Sequence, residues 1–301
     1  VTGVQTCALP IYWSSKNAEA EFTGYNASGT ITVGNDISGQ TDVLVAYNKG
    51  VASEFTNGVP MLFRHVLSQI VIKADNKDAD VRQIKVAAVR IHNVGNSNTL
   101  TLPTSPTTAD AFKWYSADAT DGYKPWVSEP ATKSEKYYYY KGTTAPNAGT
   151  VTESITLNAS AQEITFDGAA LLLPQTNAAA ADLAATNVTG GYIDVLVQVQ
   201  NLEETDAVKK AIYPTIDQAE ENQLFAWVAV PVDIAWNPGY KYTYVLHFSK
   251  DGIGKTSPDT EGGDPDPGTE PGDEIVDNPV PLYFTVTIDE WNDASSVEKD
   301  L

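Results

Sequence analysis

The sequence is poor in the residues on which reactive chemistry usually rests. Its 301 residues include one cysteine, one methionine and three histidines. The cysteine, Cys7, falls in an opening stretch that looks foreign to the chain, so no disulfide, thiolate zinc site or cysteine nucleophile is expected. Cations are scarce as well: 19 Lys and Arg stand against 39 Asp and Glu, a net charge of −20. That field repels a phosphate backbone and argues against nucleic acid as a partner. No run of eighteen apolar residues occurs, so no segment is fit to cross a bilayer as a helix. Against these shortages stand 15 Tyr, 8 Phe and 6 Trp in a chain that is 42% hydrophobic. Such a composition excludes a disordered chain and favours strands over helices. The length suits one large domain or two ordinary ones.

Residues 1–11 read V-T-G-V-Q-T-C-A-L-P-I, which resembles the translated frame of a short-read sequencing adapter. The stretch is expected to be foreign to the natural chain and is excluded from fold reasoning. The natural start, with any signal peptide or lipid-anchor cysteine, is expected to lie upstream.

From residue 12 onward strand signals dominate. Over 191–200, Ile193, Val195, Val197 and Val199 share one face while Asp194, Gln198 and Gln200 share the other, the mark of a half-buried strand. Residues 240–248 alternate likewise, and 282–288 place Leu282, Phe284, Val286 and Ile288 opposite Tyr283, Thr285 and Thr287. Stretches 61–73, 81–93, 155–166 and 224–234 are apolar on parts of both faces, as central or bulged strands are. Shorter strands are expected at 21–25, 30–33, 42–46, 99–102, 112–115 and 136–141. Two short helices are expected, at the Ala-rich 177–185 and at 204–211. Many strands, Gly/Pro/Asn/Asp punctuation and almost no βαβ alternation predict an all-β fold, an antiparallel β-sandwich. Residues 251–281 break the pattern with six Gly, six Pro and nine acids against one Lys, and predict an acidic linker or long loop that buries no core.

Motifs for reactive chemistry are incomplete wherever they begin. Ser249 to Thr256 comes near a phosphate-binding loop but lacks its first glycine, and an anionic non-helix succeeds it. His65, His92 and His247 fall on three separate strands, without metal-ligand spacing, and are expected to be packed or hydrogen-bonded. Asn76, Asp78 and Asp80 suggest a calcium loop, but its closing glutamate is replaced by Ala87, so an acidic turn is expected. No G-x-S-x-G is present, and with 39 acids a carboxylate pair is no signal of glycoside cleavage. No catalytic, cofactor-binding or metal-ligating residue is therefore expected. The aromatics Trp114, Tyr115, Trp126 and Tyr138 leave two readings open: an exposed platform for sugar rings, or rings that pack a sandwich. Their exposure separates the two.

Three stretches carry a family resemblance. Asp42-Val-Leu-Val-Ala46 followed by Phe63-Arg-His65-Val-Leu67 is the first. Trp236-Asn-Pro238-Gly239-Tyr240-Lys-Tyr242-Thr-Tyr244 is the second, and Phe284-Thr-Val-Thr-Ile-Asp-Glu-Trp291 the third. Together, in this order, they resemble the Mfa-like fimbrillins of the Bacteroidales, subunits of type V pili and related adhesins. The resemblance implies two tandem transthyretin-like sandwiches and export to the outer membrane as a lipoprotein. It also implies polymerisation with other fimbrial subunits, in which a neighbour's strand fills an open groove. The expected organisation is then 12–56 as the end of a first sandwich, 57–250 plus 282–293 as a second, and 251–281 between the last two strands. The strand Leu282, Phe284, Val286, Ile288 either closes its own sandwich, with Phe284, Val286 and Ile288 facing the core, or is donated to a neighbour. An alternative is a glycan-binding surface lipoprotein.

Overall fold

The computed structural model describes residues 19–34, 39–55, 57–104, 112–115, 122–140, 151–165, 169–205, 210–215, 225–259, 269–277 and 279–291. Residues 1–11 lie outside them. The first described strands are β1 (Glu19–Tyr25), β2 (Gly29–Thr32), β3 (Leu44–Val51), β4 (Arg64–His65), β5 (Ser68–Asn76) and β6 (Arg82–Val94). Next in the chain are β7 (Ser97–Leu100), β8 (Glu135–Tyr140), β9 (Ile155–Thr156), β10 (Gln162–Glu163), β11 (Ala170–Leu172), β12 (Thr176–Asn177) and β13 (Tyr192–Asn201). The last are β14 (Ala211–Tyr213), β15 (Ala226–Pro231), β16 (Ile234–Ala235), β17 (Tyr240–Phe248), β18 (Lys255–Thr256) and β19 (Tyr283–Glu290). The fold is all-β, and no described helix is long and apolar enough to cross a membrane.

Two sheets form the sandwich. One runs β10-β5-β17-β19, with β11 also on β5; the other runs β18-β15-β13-β6-β8, with β14 on β13 and β9 on β6. Period-two alternation makes the core between them. Ile70, Ile72, Tyr242, Tyr244, Leu246 and Phe248 of the first sheet pack with Ile84, Val86, Val89, Ile91, Ile193, Val195 and Val197 of the second, each at most 2% exposed. β6 carries core residues at even positions up to Val86 and then at Val89 and Ile91. The reason is a register shift: Val197 faces Val86 while Leu196 faces Ala88, which leaves Ala87 as the extra residue of a bulge.

The expected antiparallel sandwich needs one correction. β17 and β5 pair in parallel, with Tyr242 beside Ile70 and Tyr244 beside Ile72. Antiparallel neighbours can be joined by a tight turn, whereas parallel ones need a crossover, and here the chain passes through the facing sheet between them. The outer face of that facing sheet is also not the wet surface its polar residues suggested. Asp194 is fully buried and Gln198 nearly so.

Two segments supply the cover. The Ala-rich stretch 177–185 is not helical. Its backbone is taken up by Gly191, which donates to the Ala178 carbonyl and accepts from the Ala180 N–H, and Ala180 and Leu183 then pack on Tyr192 and Ala229. The start of the acidic segment is not an unpacked linker either. β18 adds to β15, Ile253 joins the core at 1% exposed, and Ser257 is buried. Of 204–211, residues 206–209 lie outside the described ones; 112–115 is irregular.

The N-terminal region forms a three-stranded sheet, β1-β3-β4. The boundary expected at 56/57 is crossed by packing: β2 pairs with β7, and Val33, Val43 and Val45 join the same core cluster as the sandwich.

Candidate functional site: the closing strand and the cleft at its end

β19 is the last strand of its sheet. It pairs antiparallel with β17, placing Phe284, Val286 and Ile288 directly opposite Leu246, Tyr244 and Tyr242. Directly opposed residues share a face, so these three point to the core side. Phe284 reaches the core, its ring 6.1 Å from that of Tyr244, and Leu282 packs beside it. Val286 and Ile288 do not; they are 39% and 58% exposed. All three thus face the core side, but only Phe284 packs against the core, and only in part. The physical reason is that β19 is an edge strand, and among the described residues no strand pairs with its outer side.

The three signature stretches converge at the start of β17. Gly239, in the left-handed region at φ 76°, donates its N–H to the Leu67 carbonyl and accepts from the Trp291 N–H. A side chain there would be strained, which explains a glycine after Pro238. Trp236 is buried and donates its indole N–H to the Tyr244 hydroxyl at 2.9 Å, and Tyr242 accepts the Asn237 N–H at 2.7 Å. Burial pushes the Tyr244 hydroxyl up to about 12, against a smaller opposing effect of the Trp236 hydrogen bond. Leu67 is in the core, and Phe63 lies against β1, where a Cβ on Gly24 would come within 2.9 Å of its ring.

Each of the three histidines is held between a carboxylate and a ring. His65 Nδ1 lies 2.6 Å from Asp42 Oδ2, and its ring stacks on Trp291 at 3.8 Å and 7°. His247 Nδ1 lies 2.9 Å from Asp75, and its ring stacks on Tyr283. His92 Nε2 lies 2.8 Å from Asp194 Oδ2 and stacks on Tyr192. Two of the three therefore grip opposite ends of β19.

The His92 pair belongs to a buried ionic cluster that the alternation did not reveal. Arg90, fully buried, lies 3.0 Å from Asp194 and 3.4 Å from Asp259, and its guanidinium sits 3.6 Å over the Trp227 ring. Lys136 and Ser257 add contacts of 2.8 Å to Asp259 and Asp194. One ligand atom from each of His92, Asp194 and Asp259 lies within 4.8 Å of the others. Arg90 and Lys136 pair with the two carboxylates, and through Asp259 and Ser257 the cluster ties the start of the acidic segment to β6, β8 and β13.

The four candidate platform rings do not form one row. Tyr138 stands on the other sheet, edge-on to Trp227 at 74°. Trp126 turns its indole N–H to the Val66 carbonyl at 2.6 Å. Trp114 and Tyr115 instead line a cleft of about 380 Å³ at the end of β19, together with Arg64, Tyr240, Glu290 and Trp291.

No curated protein matches the chain. Among solved structures it is similar to a fimbrial protein from Bacteroides vulgatus ATCC 8482, with 15% identity over 93% of this chain and 72% of that one, at a TM-score of 0.45. It is also similar to a proposed cell adhesion protein from Bacteroides uniformis ATCC 8492, with 15% identity over 94% and 77% and a TM-score of 0.34. A third, a proposed cell adhesion protein from Parabacteroides distasonis ATCC 8503, shares 11% identity over 88% and 68% at 0.40. The fimbrillin-like family profile matches residues 4–262, most of the sequence, and the chain belongs to that family.

Proposed function

We propose that this chain is an adhesive subunit of a surface fimbria that joins its neighbour by strand addition along the free edge of β19. The observation that carries the reading is the pair Val286 and Ile288, exposed on the core side of an edge strand. An edge presents unpaired N–H and C=O groups, and an incoming strand would pair them. The same strand would cover the two side chains, contributing on the order of 1–2 kcal/mol each. On this reading the subunit is exported as a lipoprotein to the outer membrane, and β1-β3-β4 is part of a first sandwich.

The test is assembly. Ile288→Asp puts a charge where the incoming strand must desolvate it, yet leaves the monomer almost untouched, because the side chain is already more than half exposed. Light scattering of concentrated protein should give oligomers for the parent chain and monomers for the variant, at equal melting temperature. Equal assembly by both would sink strand addition at this edge.

A further inference from the structure

The cleft at the end of β19 is built from three separate parts of the chain. Arg64 and His65 come from β4, Trp114, Tyr115 and Tyr123 from the segments before β8, and Tyr240, Glu290 and Trp291 from the facing ends of β17 and β19. Its volume of about 380 Å³ falls at the small end of the range for ligand sites, roughly 300–1,000 Å³.

The lining side chains are fixed from behind. The Tyr115 hydroxyl meets Asn237 Oδ1 at 2.6 Å, and the Tyr123 hydroxyl donates to the Thr101 carbonyl at 2.6 Å. Trp114 stands edge-on to Tyr123, at 5.8 Å and 85°, and the Arg64 guanidinium lies 4.9 Å over the Trp114 ring. Trp291 is held by its stack on His65, which Asp42 fixes in turn. A site whose groups are anchored by partners outside it loses little entropy when a ligand enters.

From this lining we infer that the cleft binds a saccharide. An apolar ligand would strip water from the exposed Glu290 carboxylate and return nothing to it. A simple cation meets Arg64, and a simple anion meets Glu290 within a chain of charge −20. A sugar ring satisfies every wall at once. Its C–H face lies against aromatic rings, and its hydroxyls accept from the guanidinium and donate to the carboxylate. The site differs from the platform of Trp114, Tyr115, Trp126 and Tyr138 in being a concave cleft that uses only the first two. It stands independently of strand addition, because it lies at the end of β19 and not along its edge.

The test is saturation-transfer NMR with a panel of methyl glycosides and disaccharides at millimolar concentration, followed by titration of tryptophan fluorescence. At least one saccharide should bind saturably to the parent chain. Glu290→Gln, at an exposed position, should weaken that binding about tenfold with no change in melting temperature. Tyr240→Ala should abolish it, and Ile288→Asp should leave it intact even where assembly is lost. Absence of saturable binding by any member of the panel would overturn the inference, as would equal affinity in the parent chain and Glu290→Gln.

Discussion

β5 and β19 flank the same strand, β17, and present nearly the same side chains to its inner face. Ile70 and Ile288 both lie beside Tyr242, Ile72 and Val286 beside Tyr244, and Ala74 and Phe284 beside Leu246. Yet Ile70 and Ile72 are fully buried, while Ile288 and Val286 are 58% and 39% exposed. Apolar character is equal on the two flanks, so it cannot be the cause. The cause is cover: β5 lies under the facing sheet with β10 and β11 on its other side, whereas β19 has only β17. A fimbrillin-like chain is a structural, non-enzymatic protein of the cell surface or fimbrium. On the function proposed above, an edge that keeps its apolar pattern without its cover is the place where a neighbour would pair.

The comparison breaks first at β5. Ile72→Ala removes a fully buried side chain from the middle of the sandwich and should cost about 2–5 kcal/mol, read from the denaturant midpoint at unchanged slope. A loss below about 1 kcal/mol would mean that the two flanks are alike after all. Phe284→Ala should fall between. The residue packs against the core only in part, so the cost should be about 1–2 kcal/mol, well short of the roughly 3–5 kcal/mol of a fully buried phenylalanine.

The same contrast marks how far the sequence could be read. Alternation located β13, β17 and β19 and the sides they present, because a period of two is a local property. The family resemblance, not alternation, singled out the signature residues that meet around Gly239 and Trp291. Cover is not local. Nothing in Asp194 or Arg90 indicates that residues 255–259 fold over them, so their face looked wet and is dry. The failed helix at 177–185 has the same origin, since its propensity yields to backbone bonds with the distant Gly191. The aromatic cleft was half legible: Trp114 and Tyr115 stood out by type, but Arg64, Tyr240 and Glu290 join them only in space.

The smallest expected effect is the sharpest probe of the contrast. Ile288→Ala deletes as much hydrocarbon as Ile70→Ala would, from a residue beside the same tyrosine. Transfer energy follows the area removed from water, and more than half of Ile288 never leaves water in the monomer. The change should therefore move monomer stability by about 0.5 kcal/mol or less. The ladder between β17 and β19 is unchanged, so amide exchange along β19 should be unaltered in dilute solution. If the monomer instead loses stability on the scale of Ile72→Ala, Ile288 is covered in solution by part of its own chain. The edge would then be closed, and a neighbouring subunit would have to displace that cover before it could pair.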